Sequence, residues 1–163
     1  MTAPRRADRR HWAVAVACVI VVAGLGGALT PLGPWYAGLQ RPSFQPPDWA
    51  FGPAWTLIFG LCAWAGVESW RCAPDGRARR VLLSLWALNA FLNVAWSGLF
   101  FFLQRPDWAL VEVVPLWVSI LTLVLVSGRY APRVRWLLAP YLAWVAFAAV
   151  LNAAIVRLNA PFA

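Results

Sequence analysis

The charged residues of this chain fall in short clusters, and the clusters leave five long stretches with almost no charge between them. Residues 12–40, 50–67, 81–104 and 136–156 carry none, and residues 108–127 carry only Glu112. At 1.5 Å per helical residue, about 20 apolar residues cross the roughly 30 Å of bilayer hydrocarbon. Each stretch therefore predicts a transmembrane helix, with spans at about 12–32, 49–70, 80–104, 108–128 and 134–157. Hydrophobic residues make up 62% of the chain and charged residues 12%. A soluble domain of 163 residues could not bury that much apolar surface. The fold class expected is an all-α membrane protein, a five-transmembrane-helix bundle, with residues 1–163 as one membrane domain.

Prolines and acids punctuate the stretches. Pro46-Pro47-Asp48 precedes the second, with Asp48 as a candidate N-cap. Pro74-Asp75-Gly76 reads as a turn, Pro106-Asp107 opens the fourth span, and Ala131-Pro132 opens the fifth. Pro53, Pro115 and Pro140 lie within spans, where each removes a backbone hydrogen bond. The first stretch exceeds the 7–15 residues of a signal-peptide core, so it reads as a span and not as a leader. Ala13, Ala17, Gly24 and Ala28 share one face of it, a pattern suited to close helix packing, within the monomer or between two copies.

All fourteen basic residues are arginine, and the net charge is +8. Arg5, Arg6, Arg9, Arg10, Arg71, Arg77, Arg79, Arg80, Arg129, Arg133 and Arg135 fall on one side of a five-span topology, against Arg41, Arg105 and Arg157 on the other. The richer side is expected to be cytoplasmic, with the N-terminus there and the C-terminus opposite. Arginines placed this way are loop anchors, so no nucleic-acid partner is expected. His11 is the only histidine, and Cys18, Cys62 and Cys72 show no paired spacing, so neither a metal site nor a disulfide framework is expected. No conventional catalytic set and no phosphate-binding loop is present.

Three features carry functional information. Trp86, Asn89, Asn93, Trp96 and Phe100 form one stripe along the third span. Amides in hydrocarbon need partners, so the stripe faces other helices as interhelical glue or forms the wall of an aromatic pocket with a few polar contacts. Glu112 reads either as a helix-packing hydrogen bonder or as a polar group on a ligand cavity. Of twelve tryptophans, Trp12, Trp35, Trp49, Trp70, Trp108 and Trp136 lie near span ends, as an interfacial belt. Trp55, Trp64, Trp96, Trp117 and Trp144 lie deeper, where each indole N–H needs a partner.

The run Trp35-Tyr36-Ala-Gly-Leu-Gln-Arg-Pro42-Ser-Phe-Gln-Pro46-Pro47-Asp-Trp49, followed by Trp55, closely resembles the first-loop signature of the TspO/MBR family. Asn93-Val-Ala-Trp96, Trp108-Ala-Leu-Val-Glu112, and Pro140-Tyr141-Leu-Ala-Trp144 with Leu151-Asn152 resemble its later motifs in order. The resemblance implies a five-helix bundle, often a homodimer, that binds porphyrins such as protoporphyrin IX, with sterols and synthetic hydrophobic ligands in some relatives. It implies a pocket under a first-loop lid, lined by Tyr36, Pro46, Trp49, Trp55, Asn93, Trp96, Trp108, Trp144, Ala148 and Leu151. Some bacterial relatives degrade porphyrin photochemically, and the tryptophans implicated match Trp55 and Trp144. Three positions depart from the pattern. Phe44 replaces a frequent Trp, Asn89 replaces a Gln of animal members, and Ala153 replaces the central Tyr of the animal sterol motif.

The function expected is a membrane receptor or sensor for porphyrins. The alternatives are a transporter of tetrapyrroles or sterol-like lipids, although no inverted repeat is visible, and a light-dependent porphyrin-degrading enzyme. No resident cofactor is expected. With no histidine in the bundle, recognition is expected to rest on stacking, with Asn or Arg41 meeting the propionates, so that metal-free porphyrin binds at least as well as haem.

Overall fold

The computed structural model describes the backbone of residues 4–162 and the side chains of residues 9–162; the side chains of Arg5 and Arg6, used above for orientation, lie outside it. Helices α1 (Pro4–Ala28), α3 (Phe51–Cys72), α4 (Gly76–Ser97), α5 (Pro106–Tyr130) and α6 (Arg133–Asn159) are the long elements. A one-turn helix α2 (Pro34–Gly38) and a 3₁₀ turn (Asp48–Ala50) sit in the first loop, and a π-helical turn (Gly98–Phe102) extends α4. All five long helices have the length and hydropathy to cross a membrane, and the described residues contain no strand.

The helices close into a ring. α1 packs on α3, α3 on α6, α6 on α5, α5 on α4, and α4 returns to α1. Two very short connections, at residues 73–75 and 131–132, hold one end together, whereas residues 29–50 form a long loop at the other. The fully buried core, Ile120, Leu123, Val134 and Leu138, lies toward the short-connection end. Ala73, Ala78 and Leu82 form a second apolar cluster at the same end.

Local details refine the sequence reading. α1 stops at Ala28, short of the expected 32, because Pro31 and Pro34 cannot donate to a continuing helix. Thr30 closes that end by donating its hydroxyl to Gly26 O at 2.7 Å. Pro53 lies in the first turn of α3, where its missing N–H has no helical acceptor, while α5 and α6 run through Pro115 and Pro140. Asp48 does not cap α3; its carboxylate is engaged across the loop instead. The capping acid is Asp75, which accepts from Ala78 N at 2.7 Å at the start of α4.

The small-residue face of α1 is also placed differently from a packing face within the monomer. Ala13, Ala17, Gly24 and Ala28 are exposed, and the helix turns His11, Ala15, Val19, Val22 and Gly26 inward. A Cβ on Gly26 would sit 3.8 Å from Ser97 Oγ, whereas one on Gly24 would meet nothing within 4 Å. Gly26 thus faces α4 at ordinary contact distance, and Gly24 faces away from it.

Candidate functional site

The ring of helices is filled at its short-connection end and hollow at its first-loop end. The hollow is a cavity of about 380 Å³ lined from every long helix and from the first loop. Trp55 and Phe59 come from α3, Asn93 and Trp96 from α4, Phe100 and Phe101 from the π turn, and Trp144, Ala148 and Leu151 from α6. Tyr36, Gln45 and Asp48 close it from the loop.

Backbone geometry explains how consecutive residues share one wall. In an α-helix Phe100 and Phe101 would point about 100° apart. The wider π turn, sealed by Leu103 N donating to Gly98 O at 2.8 Å, brings both rings onto the cavity. Trp96 stacks on Phe100 with ring centroids 5.1 Å apart at 26°, and Phe100 meets Phe101 at 4.7 Å. Gln104 then takes a left-handed φ of 54° to break the helix before α5. Opposite, Trp144 meets Phe51 edge-on at 5.8 Å, and Trp55 meets Tyr141 at 6.1 Å.

The amide stripe serves two roles at once. Asn89 donates to Ser119 Oγ at 2.9 Å and accepts from the Tyr141 hydroxyl at 3.3 Å, so it ties α4 to α5 and α6. Asn93, one turn nearer the loop, donates to Tyr141 Oη at 3.0 Å and also lines the cavity. Asn152 reaches from α6 to the first turn of α5, with its amide donating to Pro106 O at 3.0 Å and accepting from Leu110 N at 3.1 Å. The indole N–H of Trp96 is buried with no hydrogen-bond partner among the described residues. Glu112 makes neither interaction read for it: both carboxylate oxygens lack a hydrogen-bond partner, and the residue is not on the cavity wall.

The loop side carries the polar chemistry. Arg41 donates from Nη1 to both Asp48 oxygens, at 3.2 and 3.0 Å, and its guanidinium lies 4.6 Å from the Tyr36 ring centroid. The Tyr36 hydroxyl donates to Asp48 at 3.3 Å. Burial of the phenol, with the Asp48 carboxylate beside it, raises its pKa above the ordinary tyrosine value, so the hydroxyl stays a donor. The loop is fastened to the end of α6 by Asn159, which accepts from Gln40 N at 2.8 Å and donates to Gln40 O at 2.9 Å.

Of the residues singled out in the sequence, Tyr36, Trp55, Asn93, Trp96, Trp144, Ala148 and Leu151 line this one cavity. Pro46, Trp49 and Trp108 do not. Pro46 borders a shallow outer groove between α3 and α6, together with the back of Trp144. Trp49 is 76% exposed, and Trp108 stands outside the bundle with the Arg105 guanidinium 4.3 Å from its ring centroid. The wall contributed by α1, from Val22 to Gly27, and by Thr30 beyond it, was not anticipated, nor were Gln45, Asp48 and Asn152.

The sequence profile of the TspO/MBR family matches residues 14–158. The chain is 36% identical over 149 residues to the tryptophan-rich protein TspO of Chlorobaculum tepidum, covering 90% of this chain and 94% of that one. It is also 36% identical over 155 residues to the translocator protein of Sus scrofa, covering 91% of each. With the tryptophan-rich sensory protein of Cereibacter sphaeroides it shares 30% over 133 residues, 82% of each chain. Likeness of that extent, on five helices long and apolar enough to span a bilayer, means that the chain belongs to the TspO/MBR family of multi-pass integral membrane proteins.

Proposed function

We propose that the cavity binds porphyrins of the protoporphyrin IX type and related hydrophobic ligands, and that the chain works as a membrane receptor or sensor for them. One observation carries this reading: Trp55, Trp96, Phe100 and Trp144 wall a single, mostly apolar cavity of about 380 Å³. That volume falls within the roughly 300–1,000 Å³ of small-molecule sites. A flat aromatic ligand gains about 0.5–1.5 kcal/mol per well-placed ring contact beyond burial. Among the described residues the wall offers no His, Cys or Met, and its one phenol, Tyr36, is hydrogen-bonded to Asp48. Metal-free porphyrin therefore binds at least as well as haem. The test is quenching of tryptophan fluorescence by protoporphyrin IX in detergent, in the dark. Saturable quenching that weakens in Trp55→Phe or Trp144→Phe supports the site. Quenching that never saturates, or is equal in wild type and both variants, removes it.

A second reading rests on Trp55 and Trp144 both facing the cavity. Indoles beside a light-absorbing ligand are placed to take part in photo-oxidation when light and dioxygen are supplied. Absorbance products that form only in light, and not in the two Phe variants, would establish that activity. Relatives named translocator proteins keep transport in view, and flux of labelled porphyrin into sealed vesicles would identify it.

The arginine-rich end faces the cytoplasm in this reading. Cys72, free and exposed next to that end, then reacts with an impermeant maleimide only from the cytoplasmic side. Pairing of two copies uses the exposed Ala13, Ala17, Gly24 and Ala28 face. A Cβ added at Gly24 meets nothing within 4 Å of its own monomer, so Gly24→Ala should weaken the dimer and leave the fold intact.

A further inference from the structure

The cavity wall contains one carboxylate, Asp48, and no basic side chain among the described residues. The nearest cation known to touch that wall is Arg41, and it is committed in an uneven way. Only Nη1 donates to Asp48, while Nε and Nη2 have no hydrogen-bond partner among the described residues. A guanidinium normally meets a carboxylate through two parallel N–H bonds, and that edge of Arg41 is open. The Tyr36 ring under the guanidinium and the Tyr36 hydroxyl on Asp48 hold both charges at the cavity mouth.

We propose that Arg41 and Asp48 form a charge selector for amphiphilic ligands. The open edge of Arg41 receives a ligand carboxylate, and Asp48 opposes it with like charge a few ångströms away. A carboxylated ligand must displace Asp48 or share Arg41 with it; a neutral ligand of the same ring system meets neither cost nor gain. Asp48 is thus a specificity-determining residue that weakens binding of acids relative to esters. Because a ring system has to enter the cavity first, this inference rests on the tetrapyrrole reading.

The test compares protoporphyrin IX with its dimethyl ester on full-length protein in detergent, by saturable tryptophan quenching in the dark. Asp48→Asn keeps an acceptor for Arg41 but removes the charge. It should tighten the dicarboxylate by about two- to fivefold relative to the ester, the scale of one exposed ion pair. Arg41→Gln should weaken the dicarboxylate relative to the ester, and Asp48→Asn should add little to that ratio on the Arg41→Gln background. Thermal unfolding in detergent checks that each variant is folded, and the acid-to-ester affinity ratio is the readout. The selector is overturned if Asp48→Asn leaves the dicarboxylate unchanged, or tightens acid and ester alike. If neither compound binds wild type saturably, the tetrapyrrole reading falls and the selector falls with it; ester binding in wild type with no charge effect sinks the selector alone.

Discussion

The two ends of this bundle are built from the same five helices and are packed in opposite ways. At the arginine-rich end the helices are joined by two or three residues, and Leu123, Val134 and Leu138 are wholly buried. A Cβ added to Gly128 there would overlap the Arg135 side chain. At the other end Gly27 and Gly52 line the cavity and would meet nothing within 4 Å. Interiors of proteins are normally filled to crystal density, so a hollow of this size sets the first-loop end apart from the packed one. On the function proposed above, the difference divides stability and recognition along the bundle axis. The boundary falls between Asn89, which only ties helices, and Asn93, which ties them and lines the cavity.

The division breaks most visibly if the packed end tolerates truncation. Leu138→Ala or Leu123→Ala should cost about 2–5 kcal/mol of stability, read by thermal unfolding in detergent, with porphyrin affinity retained in the folded fraction. At the hollow end the signs reverse: Ala148→Leu fills cavity space, changing stability by less than about 1 kcal/mol while weakening porphyrin quenching more than about tenfold. If Ala148→Leu unfolds the protein instead, the cavity is structural.

The boundary itself is sharpened by the amide pair. Asn89→Leu and Asn93→Leu should each lose about 0.6–1.7 kcal/mol of interhelical hydrogen bonding, but only Asn93→Leu should alter ligand affinity. Equal effects of both on binding would move the boundary a turn deeper. The smallest expected effect is at the loop. Asn159→Ala unfastens Gln40 from α6 and should change stability by less than about 1 kcal/mol, since the bonds are exposed. Amide exchange of the first loop should nevertheless accelerate, and a loop that exchanges no faster would assign its position to the Arg41–Asp48–Tyr36 contacts alone.

The helices were legible because a bilayer leaves few choices. Backbone groups in hydrocarbon must bond within their own helix, so charge-free runs of sufficient length become spans. The cavity was legible in part. Asn93 and Trp96 announced themselves as polar and bulky groups in a membrane-spanning stripe, and the likeness to a known family supplied Tyr36, Trp55, Trp144, Ala148 and Leu151. Trp49 and Trp108 carried the same aromatic signal and lie outside, because a span-end tryptophan is equally suited to the lipid interface. Glu112 could not be assigned from sequence, since one helical position faces a neighbour, a cavity or lipid depending on the rotation of α5. The inward face of α1 was missed for a similar reason: apolar residues surround that helix on all sides, so periodicity does not distinguish protein from lipid.

By itself, then, the sequence determined the number of helices, their approximate ends and the uneven distribution of arginine, because solvation by lipid and water acts on each residue separately. Only the tertiary structure decided which faces meet. Ring closure of α1 onto α4 set the hollow, the π turn brought Phe100 and Phe101 onto one wall, and loop folding brought Asp48 away from its helix end to Arg41 and Tyr36. Those outcomes depend on helix rotation and on contacts between residues distant in the chain, which the lipid solvent leaves free and side-chain packing selects.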